Sequence, residues 1–462
     1  MAGWLWFLIQ FVLIAAFVTY IVISSKKALA ENRITWFMKT WKKDSVKSIA
    51  SSLTSIVFGL LIGCIILIIM TIIPSKGVSL SFKTAMEGIQ LVFSGIFNIG
   101  RTDGGALKFG FDPVKFGDML FRATPLILTG LSVAVAFKTG LFNIGAPGQY
   151  LISTAVTLIL ALSIPTTSVP PLIVWLIAFL CGILSGAIWG AVPGIFKAFL
   201  NVNEVITCIM MNWISANVVT MLFDKEIGPF KHLLDPSGTK NLAYVFKTTH
   251  NNVATSKLGL DFIFEGSQVN GGIIIAILLA VLVYIIFNKT TFGYQLKACG
   301  SNKFAAKYAG INEKTCTIIS MSIAGGLAGA GAALYYLSGN TEFAWETYQS
   351  LPGVGFNGIP VALLACNNPI GVIFSASFIS LLDVNGMQLK YMTPYNEYIT
   401  SIITAVIVYF SAFSLLFKQV YSGEIKINFK DMFKRSNKKT VEIVEKDKEE
   451  KQQEIIKEEE NA

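Results

Sequence analysis

The sequence predicts an all-α membrane protein, a polytopic bundle of about ten or eleven transmembrane helices with broken helices near mid-membrane. Of its 462 residues, 53% are hydrophobic and only 14% are charged, which leaves too little polar surface for a water-soluble globule. Many uncharged apolar stretches reach the ~18 residues that a helix needs to cross a bilayer core. Lys and Arg are concentrated in a few of the intervening loops, as they are beside membrane spans.

Apolar stretches that predict spanning helices recur along the chain as far as residue 417. They are, in order, 4–24, 55–74, 119–137, 145–164, 171–193, 203–223, 271–288, 316–337 and 398–417, with a shorter interrupted pair at 358–366 and 370–382 that counts as two passes. The first stretch is interpreted as an uncleaved anchor, because no basic region precedes it and Lys26 and Lys27 follow it.

The charges between these stretches predict the orientation of the helices. The loops 25–54, 289–315 and 418–440 are strongly basic, whereas 224–270 is balanced and 338–357 carries no basic residue. Because basic loops are usually cytoplasmic, we expect the N-terminus outside and the C-terminus in the cytoplasm, with eleven crossings. The net charge of +9 follows from this topology, so we expect no nucleic-acid partner.

The sequence offers no arrangement of residues for catalysis. The phosphate-binding pattern Gly-x-x-x-x-Gly-Lys-Ser/Thr does not occur. His232 and His250 are the only histidines, and neither they nor the six scattered cysteines have the spacing of metal ligands. We therefore expect no enzyme activity, no metal and no cofactor, and any ATP hydrolysis would belong to a separate subunit.

The segment 139–149 places polar and helix-breaking residues beside an apolar stretch. Three glycines and Pro147 would interrupt a helix, and Asn143 and Gln149 would supply side-chain amides. Two interpretations remain open: a broken helix that lines a cavity, or a tight cytoplasmic turn that follows Lys138.

Two further polar features lie within apolar stretches. Gly353–Pro360 predicts a second break, and Asn212 is an isolated amide that follows the helix-capping pair Asn203-Glu204. Polar groups are costly at membrane depth and usually face a cavity or another helix. Neutral amides suit hydrogen bonding to an uncharged polar solute. The candidate residues for a substrate pathway are therefore Asn143, Gln149, Asn212 and Asn357.

One face of the predicted helix 316–337 consists of small residues between Gly325 and Ala333. Small residues allow the backbone of a second helix to approach closely. We expect this face to be a contact between helices rather than the wall of a cavity.

Residues 292–311 form an Ala-rich, Lys-bearing segment on the predicted cytoplasmic side. This composition predicts a short helix that ends at Gly310. Such a helix would be either a rigid contact for a partner or an ordinary connection, and spacing alone does not separate the two.

The segment resembles the cytoplasmic coupling loop of permease subunits in the branched-chain amino acid, simple sugar and nucleoside family of bacterial ABC importers. The pattern of that loop, Gly-x-Asn-x-x-Ala-Ala-x-Tyr-Ala-Gly-Ile, is formed here by Gly300, Asn302, Ala305, Ala306, Tyr308, Ala309, Gly310 and Ile311. The strings 122–132, 142–149 and 355–371 are similar to the nucleoside branch of the family, and the resemblance covers roughly 119–417.

This resemblance implies a permease domain at 55–417 in a bacterial plasma membrane, between an anchor helix with a basic cytoplasmic loop at 1–54 and a charged cytoplasmic tail at 418–462. The implied solute is small and polar, most nearly a nucleoside; a simple-sugar permease and an ion-coupled secondary transporter are the alternatives. The implied partners are a cytoplasmic ABC ATPase that docks on the 292–311 helix, a second related permease subunit, an extracellular solute-binding lipoprotein and membrane lipid. The ATPase-coupling residues would be Gly300, Asn302, Ala305, Ala306, Tyr308, Ala309 and Gly310.

Overall fold

The computed structural model describes residues 43–72, 82–101, 107–224, 226–233, 253–395 and 398–422, together with residues 19, 39 and 40. Most of these residues are helical. In chain order the helices are α1 (Asp44–Ile72), α2 (Phe82–Ser94), α3 (Pro113–Lys138), α4 (Ala146–Ser163), α5 (Pro171–Leu200), α6 (Glu204–Leu222), α7 (Leu260–Ile263), α8 (Gly272–Lys289), α9 (Thr291–Ser301), α10 (Lys303–Tyr308), α11 (Glu313–Tyr336), α12 (Gly353–Leu364), α13 (Pro369–Met392), α14 (Tyr398–Ser411) and α15 (Ser414–Ser422). Short 3₁₀ turns lie at Gly95–Phe97 and Lys231–Leu233, and the strands β1 (Asn98–Arg101) and β2 (Leu107–Phe109) form one antiparallel hairpin.

Within the described residues, eight helices are long and apolar enough to cross a membrane: α1, α3, α4, α5, α6, α8, α11 and α13. Each coincides with a predicted span, which confirms the all-α, polytopic fold class. The predicted anchor 4–24 and the tail beyond residue 422 lie outside the described residues. The number of crossings stays a prediction, because α12 has only 12 residues and the predicted span 398–417 is divided between α14 and α15.

The helices α1 to α14 belong to the first of two compact units, Met1–Ser414. The second unit is Leu415–Ala462, and its described part is the remainder of α15.

Four helices extend well beyond their predicted spans. The helix α3 begins at Pro113 rather than at 119 and α5 continues to Leu200 rather than to 193, while α1 and α13 extend furthest. The helix α1 begins at Asp44 rather than at 55, because the hydroxyls of Ser51, Ser52 and Ser55 donate to carbonyls of its own preceding turn and so do not oppose helix formation. The helix α13 continues past its predicted end at 382, where Asn385 donates from Nδ2 to the Val92 carbonyl at 3.1 Å.

The predicted break at Gly353–Pro360 is wrong, because these residues form the first two turns of α12. The glycines that suggested the break instead allow close packing: a Cβ at Gly355 would lie 2.5 Å from the Cα of Pro147, and one at Gly358 would lie 2.6 Å from the backbone of Thr129. Backbone contact with α4 and α3 therefore holds a glycine-rich segment in a short helix.

The helix α2 was not predicted, because its 13 residues are fewer than a membrane span needs. The β1–β2 hairpin was not predicted either, because strands of three and four residues are too short to show a periodic pattern. The hairpin is attached to two spans. Lys115 of α3 donates from its ammonium to the Asn98 carbonyl, and Arg101 donates to the Met392 carbonyl at the end of α13 at 2.7 Å. The hairpin therefore marks the side of the membrane at which α3 begins and α13 ends.

The predicted helix contact of the small-residue face is present, and α5 is the partner helix. Glycines recur at every fourth position of α5 (Gly182, Gly186, Gly190 and Gly194) and meet α11, the first three at or beside its small face. A Cβ added at Gly325 would lie 2.1 Å from the carbonyl oxygen of Gly186. The two backbones are thus in direct contact, and α4 packs against both helices.

Candidate functional site

The connection between α3 and α4 carries a closed pair of amide side chains. Asn143 donates from Nδ2 to Gln149 Oε1 at 2.8 Å, and Gln149 donates from Nε2 to Asn143 Oδ1 at 3.1 Å. Asn143 also donates to Ser132 Oγ and accepts from the Gly145 amide. Both side chains are buried. They therefore fix the course of residues 139–145, the non-helical segment between the two spans.

Asn212 of α6 is held to the same connection. Its Oδ1 accepts from the Gly148 amide at 2.9 Å, and its Nδ2 donates to the Ile144 carbonyl at 3.0 Å. Asn212 is buried, and these two bonds join α6 to the first turn of α4. The cap predicted for α6 is also present, because Asn203 Oδ1 accepts from the Val205 amide.

The structure thus brings three of the four predicted pathway amides together and leaves the fourth apart. Asn357 lies on α12, is only half-buried and forms no hydrogen bond among the described residues. The start of α12 nevertheless lies against the amide cluster, because Gly355 contacts Pro147. Of the four, Asn357 is the one whose side-chain amide is partly exposed and has no hydrogen-bond partner among the described residues.

The closed amide pair leads to a stability prediction. Gln149→Ala removes two hydrogen bonds from the buried Asn143 amide, which we expect to cost about 1–3 kcal/mol of folding free energy and to lower the melting temperature in detergent. Gln268→Ala, at an exposed position, is the matched control and should leave the melting temperature unchanged. A Gln149→Ala protein as stable as the control would show that the pair does not support the fold.

The predicted coupling helix 292–311 is two helices rather than one. Asn302 separates α9 from α10 because its Oδ1 caps α10 by accepting from the Ala305 amide at 3.0 Å. As predicted, α10 ends before Gly310, which adopts a φ of 79°. Its most exposed aromatic side chains are Tyr308, which is 94% exposed, and Phe304, which is 77% exposed.

The predicted coupling residues divide by burial. Ala306 is buried and holds α10 against the protein, whereas Asn302, Ala305, Tyr308, Ala309 and Gly310 are exposed. Gly300 lies against the α3–α4 connection, since a Cβ there would lie 2.5 Å from the Lys138 carbonyl.

A pair of oppositely charged residues inside spans was missed by the sequence analysis. Arg122 lies in α3, and Asp383 lies just beyond the predicted end of the 370–382 stretch, in the part of α13 that continues to Met392. Arg122 acts electrostatically on Asp383. No isolated charge marked the pair along the chain, because α3 also carries Lys115 and Asp118 and α13 also carries Lys390.

Among the described residues, no group of three or more His, Cys, Asp or Glu could hold a metal ion.

Comparison with known proteins identifies the kind of chain to which this site belongs. The family described as "Branched-chain amino acid transport system / permease component" matches residues 116–412. The nucleoside ABC transporter permease protein NupB of Lactococcus lactis is 33% identical over 402 residues, which cover 86% of this chain and 99% of that protein. The guanosine ABC transporter permease protein NupP of Bacillus subtilis is 31% identical, over 81% of this chain and 95% of that protein.

A more distant relative carries another solute. The glucose ABC transporter permease protein TsgB13 of Haloferax volcanii is 29% identical over 67% of this chain and 79% of that protein. No solved structure matches the chain significantly.

These matches fix the class of the protein. Its relatives are transport permeases rather than enzymes, and a permease of this kind acts in an ABC transporter together with an ATPase and other permease subunits. The chain is a multi-pass membrane protein. It belongs to the family of permease components of branched-chain amino acid-type ABC transport systems.

Proposed function

We propose that this permease imports nucleosides. The observation that carries the proposal is the extent of the match: NupB aligns over 99% of its length and NupP over 95%, whereas the glucose permease aligns over 79%. A nucleoside is an uncharged solute with many hydrogen-bonding groups. The free amide of Asn357, close to the start of a short helix, suits such a solute.

The ATPase docks on α10 in this proposal. Two exposed aromatic side chains, Phe304 and Tyr308, give this six-residue helix the kind of residue that is enriched where proteins bind one another. The contact of Gly300 with the α3–α4 connection offers a route by which ATP-driven movement reaches the membrane-embedded part.

The remaining assignments follow from an ABC importer with this permease. A second, related permease completes the pathway, an extracellular solute-binding lipoprotein delivers the nucleoside, and lipid covers the apolar outer faces. The basic loops support a topology in which α9 and α10 are cytoplasmic, the N-terminus is outside and the C-terminus is inside. In this topology the β1–β2 hairpin is extracellular.

Among the four amides we assign direct solute contact to Asn357, while Asn143, Gln149 and Asn212 support the pathway through the α3–α4 connection. Asn357→Ala should raise the KM for nucleoside uptake about 5–10-fold, the loss of one hydrogen bond, with little effect on stability. Asn217→Ala is the control, because Asn217 is exposed on α6 and donates to its own helix at the Trp213 carbonyl. An unchanged KM would remove Asn357 from the pathway.

The substrate is tested by uptake of radiolabelled guanosine, glucose and leucine in cells with and without this permease. We expect loss of the permease to abolish guanosine uptake and to leave the other two unchanged. Loss of glucose uptake with guanosine uptake intact would favour the sugar alternative and overturn the proposal.

A further inference from the structure

Tyr150 lies in the first turns of α4, near the middle of the membrane. The level is set by Gly186 and Gly325, which contact each other and lie at the midpoints of the spans α5 and α11. Ser153 lies at the same level, because a Cβ at Gly186 would be 2.7 Å from its Oγ. Tyr150 comes three residues earlier, ~4.5 Å along α4. The Tyr150 side chain therefore lies in the central part of the bilayer.

The hydroxyl of Tyr150 is buried without a partner. The residue is 1% exposed, and its Oη forms no hydrogen bond among the described residues. Its polar neighbours along α4 are paired, since Gln149 bonds to Asn143 and the hydroxyls of Ser153 and Thr154 donate to carbonyls of the preceding turn. An unpaired buried hydroxyl destabilises a protein, and phenylalanine would fill the same space without that cost. We therefore expect the hydroxyl to serve a bound solute rather than the fold.

Aromatic rings of α11 and of the connection that follows it adjoin Tyr150. The ring centroid of Tyr336 lies 6.4 Å from that of Tyr150, and Tyr336 in turn contacts Tyr335 at 5.3 Å and Phe343 at 5.9 Å. Because Tyr336 is the last residue of α11 and Tyr150 lies near the level of its midpoint, the two rings point toward each other along the helices. Tyr335 and Tyr336 are partly exposed. The aromatic cluster therefore extends from the centre of the membrane to the end of α11.

The start of α12 adjoins the same face of α4. Pro147 and Tyr150 are three residues apart and so share one face of the helix. A Cβ at Gly355 would lie 2.5 Å from the Cα of Pro147, which places the first turn of α12 against this face. Gly353, at the beginning of that turn, is exposed, and a Cβ added to it would meet no atom within 4 Å. Tyr150 thus lies beside the open start of the helix that carries Asn357.

We propose that the Tyr150 hydroxyl hydrogen-bonds the base of the nucleoside during import and that the Tyr336 ring packs against that base. The inference rests on the proposed nucleoside import and names the part of the solute that is recognised. Aromatic side chains stack on the flat faces of bases, and a hydroxyl can donate to a ring nitrogen or accept from an amino group. The hydroxyl is enclosed in this structure, so the base reaches it in the state that opens the Tyr336 side of the cluster.

Tyr150→Phe removes the hydroxyl alone and gives the first test. The KM for guanosine uptake should rise about 5–10-fold, the effect of one lost hydrogen bond, while the melting temperature in detergent stays the same or rises because an unpaired hydroxyl is gone. An unchanged KM in this variant would overturn the inference. Absence of guanosine uptake by the native transporter would instead contradict the proposed function.

Tyr395→Phe is the matched control. Tyr395 is also buried, but its hydroxyl donates to the Leu67 carbonyl at 3.4 Å. This variant should leave the KM unchanged and should not raise the melting temperature, because the hydroxyl that it removes is paired. A similar rise in KM for both variants would show that the effect of Tyr150→Phe is not specific to the proposed site.

Altered solutes show which part of the nucleoside the hydroxyl contacts. The native transporter should prefer guanosine to a phenyl ribonucleoside, which has no polar group on its base, and Tyr150→Phe should reduce that preference about 5–10-fold. The preference for guanosine over 2′,3′-dideoxyguanosine should be the same in both proteins, because these two solutes carry the same base. A change in the second preference and not in the first would place the hydroxyl against the ribose and contradict the proposal.

The Tyr336 ring is tested by two substitutions and by photolabelling. Tyr336→Phe keeps the ring and should leave the KM unchanged, whereas Tyr336→Leu removes the flat face and should raise the KM about tenfold. In the purified complex, photoactivated 8-azidoguanosine should label α4 or α11, and an excess of guanosine should prevent the labelling. Equal KM values for the native protein and both variants, or labelling confined to other helices, would contradict the proposal.

Discussion

Replacement of both exposed aromatic residues of α10, in F304A/Y308A, should abolish nucleoside uptake while the permease remains folded in the membrane. Both side chains project from the surface, at 77% and 94% exposure, so their removal leaves no cavity in the protein. Aromatic residues at the centre of an interface often contribute about 2 kcal/mol or more each to binding, or ~30-fold in affinity. The copurified ATPase and the uptake rate should therefore fall together.

The control for this variant is another exposed aromatic residue. Tyr348→Ala removes a side chain that is 91% exposed in the connection between α11 and α12, on the side opposite to α10 in the proposed topology. It should leave ATPase copurification unchanged. Normal copurification of the ATPase with F304A/Y308A would show that the ATPase docks elsewhere.

Gly325→Ala should destabilise the permease more than any other alanine substitution of a helical glycine in the α5–α11 contact. The new Cβ would lie 2.1 Å from the Gly186 carbonyl oxygen, and backbone atoms can only move if the two helices separate. Overpacking of this kind costs about 3 kcal/mol, and the separation would also disturb α4, which packs on both helices. We expect a lower melting temperature in detergent and loss of uptake.

The neighbouring glycine supplies the control. A Cβ at Gly326 would meet its nearest atoms, in Ala187 and Ile183, at 3.4 Å, which is close to ordinary van der Waals contact. Gly326→Ala should therefore not lower the melting temperature, because the new methyl group fits at ordinary contact distance and displaces no neighbouring atom. Similar melting temperatures for the two variants would indicate that α5 and α11 are not in backbone contact.

Spanning helices were the part of the fold most accessible from sequence. Long apolar stretches identify α6 and α8 almost to the residue, because lipid imposes length and composition on a span. The small face at Gly325 predicted a helix contact but not the identity of the partner. The glycines of α5 allow it to be the partner helix, but the three-dimensional arrangement of the helices is needed to identify it.

Two of the boundaries that sequence placed wrongly, in α12 and α13, share a physical cause. Polar and glycine-rich residues look like helix ends when their partners are distant in sequence. Asn385 donates a hydrogen bond to the Val92 carbonyl, 293 residues away in the sequence, and Gly355 packs against the backbone of Pro147. These contacts allow α13 and α12 to contain residues that, considered alone, predict an end or a break.

The candidate site was predicted in composition and only partly in geometry. Asn143, Gln149 and Asn212 do lie together. Asn143 and Gln149 hydrogen-bond to each other and Asn212 hydrogen-bonds to the backbone, and no pattern along the chain reveals these bonds. Asp383 was missed because an isolated carboxylate after an apolar stretch resembles the end of a span.

The most direct test of a nucleoside-importing ABC permease is transport by the purified complex in lipid vesicles. The permease would be reconstituted with its copurified subunits and the solute-binding protein outside, with ATP trapped on the ATPase side. We predict that radiolabelled guanosine accumulates against its gradient with ATP and not with a non-hydrolysable analogue, and that F304A/Y308A abolishes the accumulation. Accumulation driven by a proton or sodium gradient without ATP hydrolysis would contradict this account.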